Sequence, residues 1–399
     1  MSNNSYDVAV VGAGPAGCTA ARATAERDLN TVVVERRRQI GVPVQCGEYL
    51  PTPNEMSDLL PDSPRVARLV DVPTRLVTNQ CSQLRLISPL GKAFEFRLHS
   101  NIIDRAKFDQ HLARQAMDAG AEFKLGTIVL ERSQENTLSV RTGSDRYEIS
   151  AKVVIGADGP RSLISRSIGN RYDNEDRDLS PSLNLVIEGM DCDADTTEMY
   201  FGRQIAPGGY SWIIPKSETS ANVGFGMRKL FSSPDVSLQQ YLYRFIKANP
   251  LVTHRMRGAR ITSRVGATIP VGGPVARTFS NNVVLVGDAA GHVMASNGGG
   301  ICTALAGGHI AGEVVYDHIT NHEPLSRYAD IWRKELGTEL YTALRVLRIA
   351  DQVMTSDAIT DQCMRLAGSR YLKHLIRCRL PFPVDLASRT LVKVLRFIE

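Results

Sequence analysis

A glycine-rich turn, Gly12-Ala13-Gly14-Pro15-Ala16-Gly17, directly follows the almost unbroken apolar run Tyr6–Val11 (YDVAVV) and leads into the alanine-rich stretch CTAARATAERDL. Such a run reads as a strand buried on both faces, and the alanine-rich stretch reads as a helix. A second apolar run, Thr31–Val34, ends on an acid, Glu35. Strand, tight turn, helix, strand and an acid about 20 residues beyond the glycines make a βαβ unit of the dinucleotide-binding kind. The glycines let the chain turn sharply, approach a pyrophosphate and pack helix on strand. The helix N-terminus offers free N–H groups and the positive end of its dipole to phosphates, and Glu35 can accept hydrogen bonds from an adenosine ribose. The unit predicts an α/β fold. It leaves NAD, NADP and FAD open, although an acid at the end of the second strand argues against NADP.

Two distant motifs narrow that choice. Val283–Val286 reads as a strand, followed by Gly287-Asp288 and a loop to Asn297-Gly298-Gly299-Gly300-Ile301, after which ICTALAGGHIAGEVVYDHI is helical in pattern. A second glycine-rich loop opening a helix, almost 300 residues further on, suits a long cofactor lying extended across the fold. Asp288 can accept from ribitol or sugar hydroxyls. The helix end can face the pyrimidine edge of a flavin, where reduction builds negative charge. Between these ends, Lys152–Ile155 reads as a strand running into Gly156-Ala157-Asp158-Gly159-Pro160-Arg161-Ser162. Earlier, Asp104-Arg105 opens an amphipathic helix with Phe108 and Leu112 on one face.

This series of motifs (GxGxxG, DRxxFDxxL, a strand-borne ADGxxS, then GDAAG followed by GGGI) resembles the glutathione-reductase-type flavoproteins of the hydroxylase-like branch. Within that branch the chain is similar to the geranylgeranyl reductase family, most closely the archaeal digeranylgeranylglycerophospholipid reductases. PVQCGE (Pro43–Glu48) and PGGYSWIIP (Pro207–Pro215) carry that likeness; the second matches the family's YxWxFP box through Tyr210, Trp212 and Pro215, with Ile214 where Phe is usual. The resemblance covers about residues 6–320.

The resemblance implies noncovalent FAD. It places Gly12, Gly14, Pro15, Ala16 and Gly17 at the pyrophosphate and Glu35 at the adenosine ribose. Arg105 and the backbone near Val129 fall at the AMP half, where a guanidinium also suits phosphate. Asp288 falls at the ribitol and pyrophosphate, Gly300 and Ile301 at the pyrimidine edge, and Cys46 and Gly47 beside the isoalloxazine. It implies a Rossmann-like FAD-binding domain built from residues 1–75, 100–180 and 281–320. An antiparallel-sheet substrate domain would take 76–99 and 181–280, and a C-terminal helical region 321–399. The short runs SLNLVIEGM, TTEMYFG, GYSWIIP and ANVGFGM, divided by Gly, Pro and polar turns, independently read as that sheet. So do Gln83–Ile87 and Ala93–Leu98 as a strand pair. The activity implied is FAD-dependent saturation of geranylgeranyl chains on archaeal-type glycerophospholipids. Electrons would come from NAD(P)H or a ferredoxin, since no second GxGxxG is visible.

Tyr210 and Trp212 point to one face of a strand. They suit either ordinary sheet core or an aromatic wall near the flavin, and their place directly after a Pro-Gly-Gly turn favours the wall. His292 and His309 are expected to shape helices rather than perform chemistry. Cys46 admits three roles: a small buried hydrophobe, a proton donor that must remain a thiol, or an anchor ordering PVQCGE around substrate and flavin. A thiolate is the least expected, because the stretch itself contains no His or Lys.

Seven scattered cysteines form neither a disulfide framework nor a zinc or iron–sulfur spacing, which fits a reducing cytoplasm and implies no metal. No apolar run of about 18 residues exists to cross a membrane. The N-terminus enters a strand without a basic region and cleavage site, so secretion is not expected. From Arg365 onward the chain carries eight cations against Asp385 and Glu399, more than its whole net charge of +5. The interleaving of those cations with Leu, Ile, Val and Phe suits an anionic membrane interface, hence a peripheral position on the inner face of the cell membrane; a nucleic-acid partner is not expected. Competing readings are a flavin hydroxylase using NADPH and O₂ on an aromatic substrate, which leaves PVQCGE unexplained, a halogenase, and a flavoprotein that only relays electrons.

Overall fold

The computed structural model describes residues 4–133, 136–172 and 174–380. Two eight-stranded sheets organise it. In the first, the Ser5–Val11 strand lies between Thr31–Glu35 and Asp145–Gly156, parallel to both, and the sheet continues to Val283–Leu285 on one side and Glu122–Leu125 on the other. Both faces are buried, as the unbroken apolar runs require. Val8, Val10, Val33 and Ile155 face one core cluster, and Ala9, Val11, Val32 and Val154 face another.

One face carries a helical layer of α1 (Pro15–Ala25), α2 (Arg105–Asp118) and α3 (Ile301–Asn321). Helices α1 and α3 approach closely because α3 presents glycines: a Cβ on Gly308 would lie 2.3 Å from the Ala16 carbonyl oxygen, and one on Gly312 2.4 Å from the Ala23 Cβ. The other face is covered partly by the antiparallel strands Thr127–Arg132 and Thr137–Thr142, which bring Leu138, Val140 and Val129 against it.

The second sheet runs Arg260–Pro270, Leu179–Glu188, Ser220–Gly226, Tyr210–Ser217, Thr196–Tyr200, Val77–Ile87, Ala93–Ile103 and Tyr49–Pro51. It is antiparallel throughout except where Thr196–Tyr200 pairs parallel with Val77–Ile87. That parallel pair and the Tyr49–Pro51 strand depart from the simple antiparallel reading of the sequence. Both join segments far apart in the chain, which alternation along one segment does not reveal. On one face Leu183, Leu185, Ile187, Val223 and Phe225 pack against Tyr241, Phe245 and Val252. The opposite face carries Trp212 and Ile214, with Tyr210 packed against them.

Helix α4 (Arg327–Val353) buries Tyr328, Trp332, Leu336 and Leu340 in the core of the first layer. Helix α5 (Asp357–Ile376), broken by a kink at Gly368 (φ +63°), lays Met364 and Leu372 on Leu84, Leu86, Phe94 and Leu98 of the second sheet. The basic C-terminal region lies partly outside the described residues. Of its described cations, Arg365 pairs with Asp361, Arg377 pairs with Glu55 and Asp58, and Arg379 bonds the Asp58 carbonyl.

Candidate active site

The glycine turn is built as its spacing requires. Gly12 has φ +105°, and a Cβ there would lie 2.4 Å from the Ala157 carbonyl oxygen, while one on Gly17 would lie 1.9 Å from the Gly12 oxygen. Gly14 differs: its Cβ would meet nothing within 4 Å, so it opens onto free space at the mouth of α1. Gly14 is the N-cap of α1 and Pro15 its first residue, with no side chain capping the helix. The N-terminus of α3, at Gly300, likewise has no side chain capping it. Glu35 at the end of its strand accepts from the Ala13 amide at 2.7 Å and the Arg37 amide at 2.7 Å. It therefore fixes the turn. Val129 sits in the Thr127–Arg132 strand.

Asp288, in the turn after Val283–Leu285, makes no side-chain hydrogen bond among the described residues, and burial pushes its carboxyl up to about 6 while Arg105 pulls it down. An open glycine, two uncapped helix ends and a carboxylate without a bonding partner, all along one edge of the parallel sheet, fit the pyrophosphate, ribitol and pyrimidine of FAD. Asp158, by contrast, is consumed locally: it accepts from Leu163 N at 2.6 Å and Ile164 N at 3.2 Å and holds the turn.

The Pro43–Glu48 stretch crosses from the first layer to the second sheet and is fastened there. Gln45 donates to the Gly266 carbonyl at 2.8 Å. Asn222, fully buried in the Ser220–Gly226 strand, accepts from Trp212 Nε1 at 2.9 Å and donates to the Cys46 carbonyl at 3.0 Å and to Glu48 Oε2 at 3.4 Å. Lys216 Nζ lies 2.6 Å from the same Glu48 oxygen, and the Arg105 amide reaches Glu48 Oε1 at 3.3 Å. Glu48 itself is at φ +68°, a region that non-glycine residues rarely occupy, and its amide donates to Cys46 Sγ at 3.1 Å. Gly47 lies close under Ile214: a Cβ there would be 2.9 Å from Ile214 Cδ1, the end of a flexible side chain.

Arg105 Nε bonds Asp109 at 2.7 Å, and its guanidinium also interacts with the Cys46 side chain. The cation absent from the Cys46 stretch is therefore supplied by α2. Arg105 thus stands by Cys46 and in electrostatic reach of Asp288. Tyr210 donates from its hydroxyl to the Asn297 carbonyl, and Asn297 Nδ2 bonds the Ile376 carbonyl at 2.9 Å, so the second glycine-rich loop is tied to both the sheet and the end of α5. Tyr210 and Trp212 are neighbours, with ring centroids 6.1 Å apart. Trp212 lies opposite Gly224, where a Cβ would come within 2.6 Å of its ring.

Cys46, Gly47, Arg105, Tyr210 and Trp212 are thereby linked, whereas Val129 packs on the other face of the first sheet; Asn222 and Lys216 went unassigned, as did Glu48 as an individual residue. Their only signal was a polar residue inside the apolar run ANVGFGM and a lysine ending a strand. His292 is fully enclosed against Trp332, with centroids 4.5 Å apart, and burial pushes it down to about 3. His309 bonds Arg65 at 2.9 Å. His309 thus ties its helix to Arg65, while His292 packs between α3 and Trp332 with neither ring nitrogen bonded among the described residues.

A family model described as the geranylgeranyl reductase catalytic domain matches residues 178–268, and one for FAD-dependent oxidoreductases matches residues 7–164. Digeranylgeranylglycerophospholipid reductase 2 of Methanopyrus kandleri is 33% identical over 362 residues, 88% of each chain. The protein of the same description from Methanothermobacter thermautotrophicus is 34% identical over 389 residues, covering 94% of this chain and 95% of its own. Among solved structures, a geranylgeranyl bacteriochlorophyll reductase-like protein from Thermoplasma acidophilum superposes with a TM-score of 0.79 at 29% identity, over 90% of each chain. A flavin-dependent brominase, 15% identical, shares the fold with a TM-score of 0.70 over 99% of this chain and 100% of its own.

Proposed function

The chain belongs to the geranylgeranyl reductase family of FAD-dependent oxidoreductases, and from that premise we propose that it saturates the geranylgeranyl chains of archaeal-type glycerophospholipids, 2,3-bis-O-geranylgeranylglycerol phosphate lipids. The observation that carries this reading is the junction between the two sheets. The Cys46 loop, at the cofactor edge of the first layer, is bonded through Asn222 to the strand pair bearing Tyr210 and Trp212.

FAD, when reduced, supplies the hydride. The alkenes are unactivated, so a proton must reach the carbon that does not receive hydride. The chain's own part is to hold the prenyl chain in line and keep water out. Trp212 and Ile214, fixed against Gly224 and Gly47, give an apolar wall, and Tyr210 locks that wall to the Asn297–Ile301 loop. Cys46 is the side chain best placed by the loop to touch the reacting atoms: the Glu48 amide at its sulfur and the Asn222 amide at its carbonyl fix its position.

The electron donor is NAD(P)H bound transiently or a ferredoxin. The enzyme works at the inner face of the membrane, helped by its basic C-terminal region; no described helix is long and apolar enough to cross a bilayer. The reading is tested anaerobically by adding a prenylated glycerol phosphate to dithionite-reduced protein. Reoxidation of the flavin by the lipid supports it, whereas flavin that stays reduced until oxygen is admitted favours a hydroxylase.

A further inference from the structure

The two most exposed large apolar side chains among the described residues are Leu366, at 77%, and Leu90, at 67%. They belong to one surface. Leu90 tips the turn joining Val77–Ile87 to Ala93–Ile103, and its amide bonds Asp361 of α5 at 3.3 Å. On the other side of that turn, a Cβ on Gly91 would lie 3.8 Å from Leu251 Cδ1, and Leu251 is itself exposed. Ile359 and Leu366 are seven residues apart on α5 and therefore share one face, opposite the face on which Met364 is buried. Ile359 is exposed as well. Four apolar side chains from three chain segments thus stand out of one end of the second sheet.

The rim of this surface is positive. Between Gln362 and Leu380 the chain has five Arg or Lys residues and no acid. Arg377 and Arg379 are turned onto Glu55 and Asp58, while Arg370, just past the Gly368 break in α5, is exposed. Lys92 and Arg203 add exposed cations beside the turn. The acids at this end are engaged within the fold: Asp361 accepts from Ser88, Leu90 and Arg365, and Asp357 accepts from the Arg203 amide.

We propose that this end of the molecule, formed by the Leu90 turn, Leu251 and the outer face of α5, docks on an anionic lipid bilayer. The apolar side chains enter the headgroup boundary and Lys92, Arg203 and Arg370 lie among the phosphates. Exposed leucines ringed by cations match neither plain solvent nor a neutral protein surface. The proposal deepens the lipid-substrate reading on which it rests, by naming the face turned to the substrate's membrane, a face distinct from the basic residues beyond Leu380.

The full-length FAD-bound protein is assayed by flotation with phosphatidylglycerol and with phosphatidylcholine vesicles. A variant combining Leu90→Ser, Leu251→Ser, Ile359→Ser and Leu366→Ser keeps its melting temperature and flavin, since all four side chains are exposed, but binds phosphatidylglycerol at least ~30-fold more weakly. Lys92→Glu with Arg370→Glu weakens binding to phosphatidylglycerol and leaves the weaker binding to phosphatidylcholine unchanged. Serine variants that float as the wild type does would overturn the proposal. So would a wild type that does not bind either vesicle, or a dimer that the serine substitutions dissociate. Reduction of a detergent-dispersed lipid separates the two readings: it persists if only the docking surface is wrong, and is absent in every format if the lipid substrate is wrong.

Discussion

Asn222→Ala is the most informative single perturbation of the site. The wild-type amide makes three bonds: it accepts from Trp212 Nε1 and donates to the Cys46 carbonyl and to Glu48. Alanine leaves the Trp212 N–H buried without a partner, a cost of about 1–3 kcal/mol, and removes both loop bonds, which share one amide nitrogen and together contribute about 1 kcal/mol. The combined loss of about 2–4 kcal/mol falls on the position of the Cys46 loop against the Tyr210–Trp212 wall. If that position is required for hydride and proton delivery, the rate falls about 30- to 1000-fold, at 1.4 kcal/mol per decade. The cofactor end, Gly14 and the mouths of α1 and α3, is untouched, so FAD content should not change. Single-turnover oxidation of the reduced variant by a prenylated glycerol phosphate isolates the step. A variant that reoxidises at the wild-type rate, or one that loses FAD in proportion to activity, would refute the positioning role.

Retention of FAD should fall with Glu35→Ala and Asp288→Ala, by on the order of 1–3 kcal/mol each. Gly14→Ala should lose it without losing the fold, because the added methyl enters open space rather than backbone; flavin release on dialysis and the apoprotein melting temperature check both. Cys46→Ala is expected to keep FAD and lose most alkene reduction, with Cys46→Ser intermediate, in the same single-turnover assay; wild-type reoxidation in the alanine variant would reduce Cys46 to packing. His292 is pushed down to about 3 from an ordinary 6.5 by burial. The stability it contributes as a neutral ring is therefore complete above pH 6.5 and is lost as pH falls toward about 3, by up to about 1.4 kcal/mol per pH unit. Urea unfolding at several pH values should show that slope diminished in His292→Met.

What could be read in the sequence was local. The Gly12–Gly17 turn, its flanking strands and the loop to Ile301 declare themselves through backbone geometry that only short runs of residues determine. Asp104 likewise caps α2 within its own motif, accepting from the Lys107 amide at 3.1 Å. The cation beside Cys46 could not be found this way, because Arg105 reaches the loop from α2, almost sixty residues further on. Nor could Asn222, which meets the Cys46 carbonyl across 176 positions of sequence. The parallel pairing of Thr196–Tyr200 with Val77–Ile87 was hidden for the same reason: each strand alternates normally, and only the assembled sheet sets the direction. The first glycine of ANVGFGM is explained only by the Trp212 ring lying over Gly224.

The account stands on the claim that a reduced flavin held by this chain saturates prenyl double bonds. Mass spectrometry of the lipid after anaerobic incubation in deuterium oxide with the reduced enzyme measures that step directly. The expected result is a gain of two hydrogens for each double bond reduced, at least one of them solvent deuterium, with flavin oxidised in step. An unchanged lipid, or one that gains oxygen when air is admitted, would contradict it.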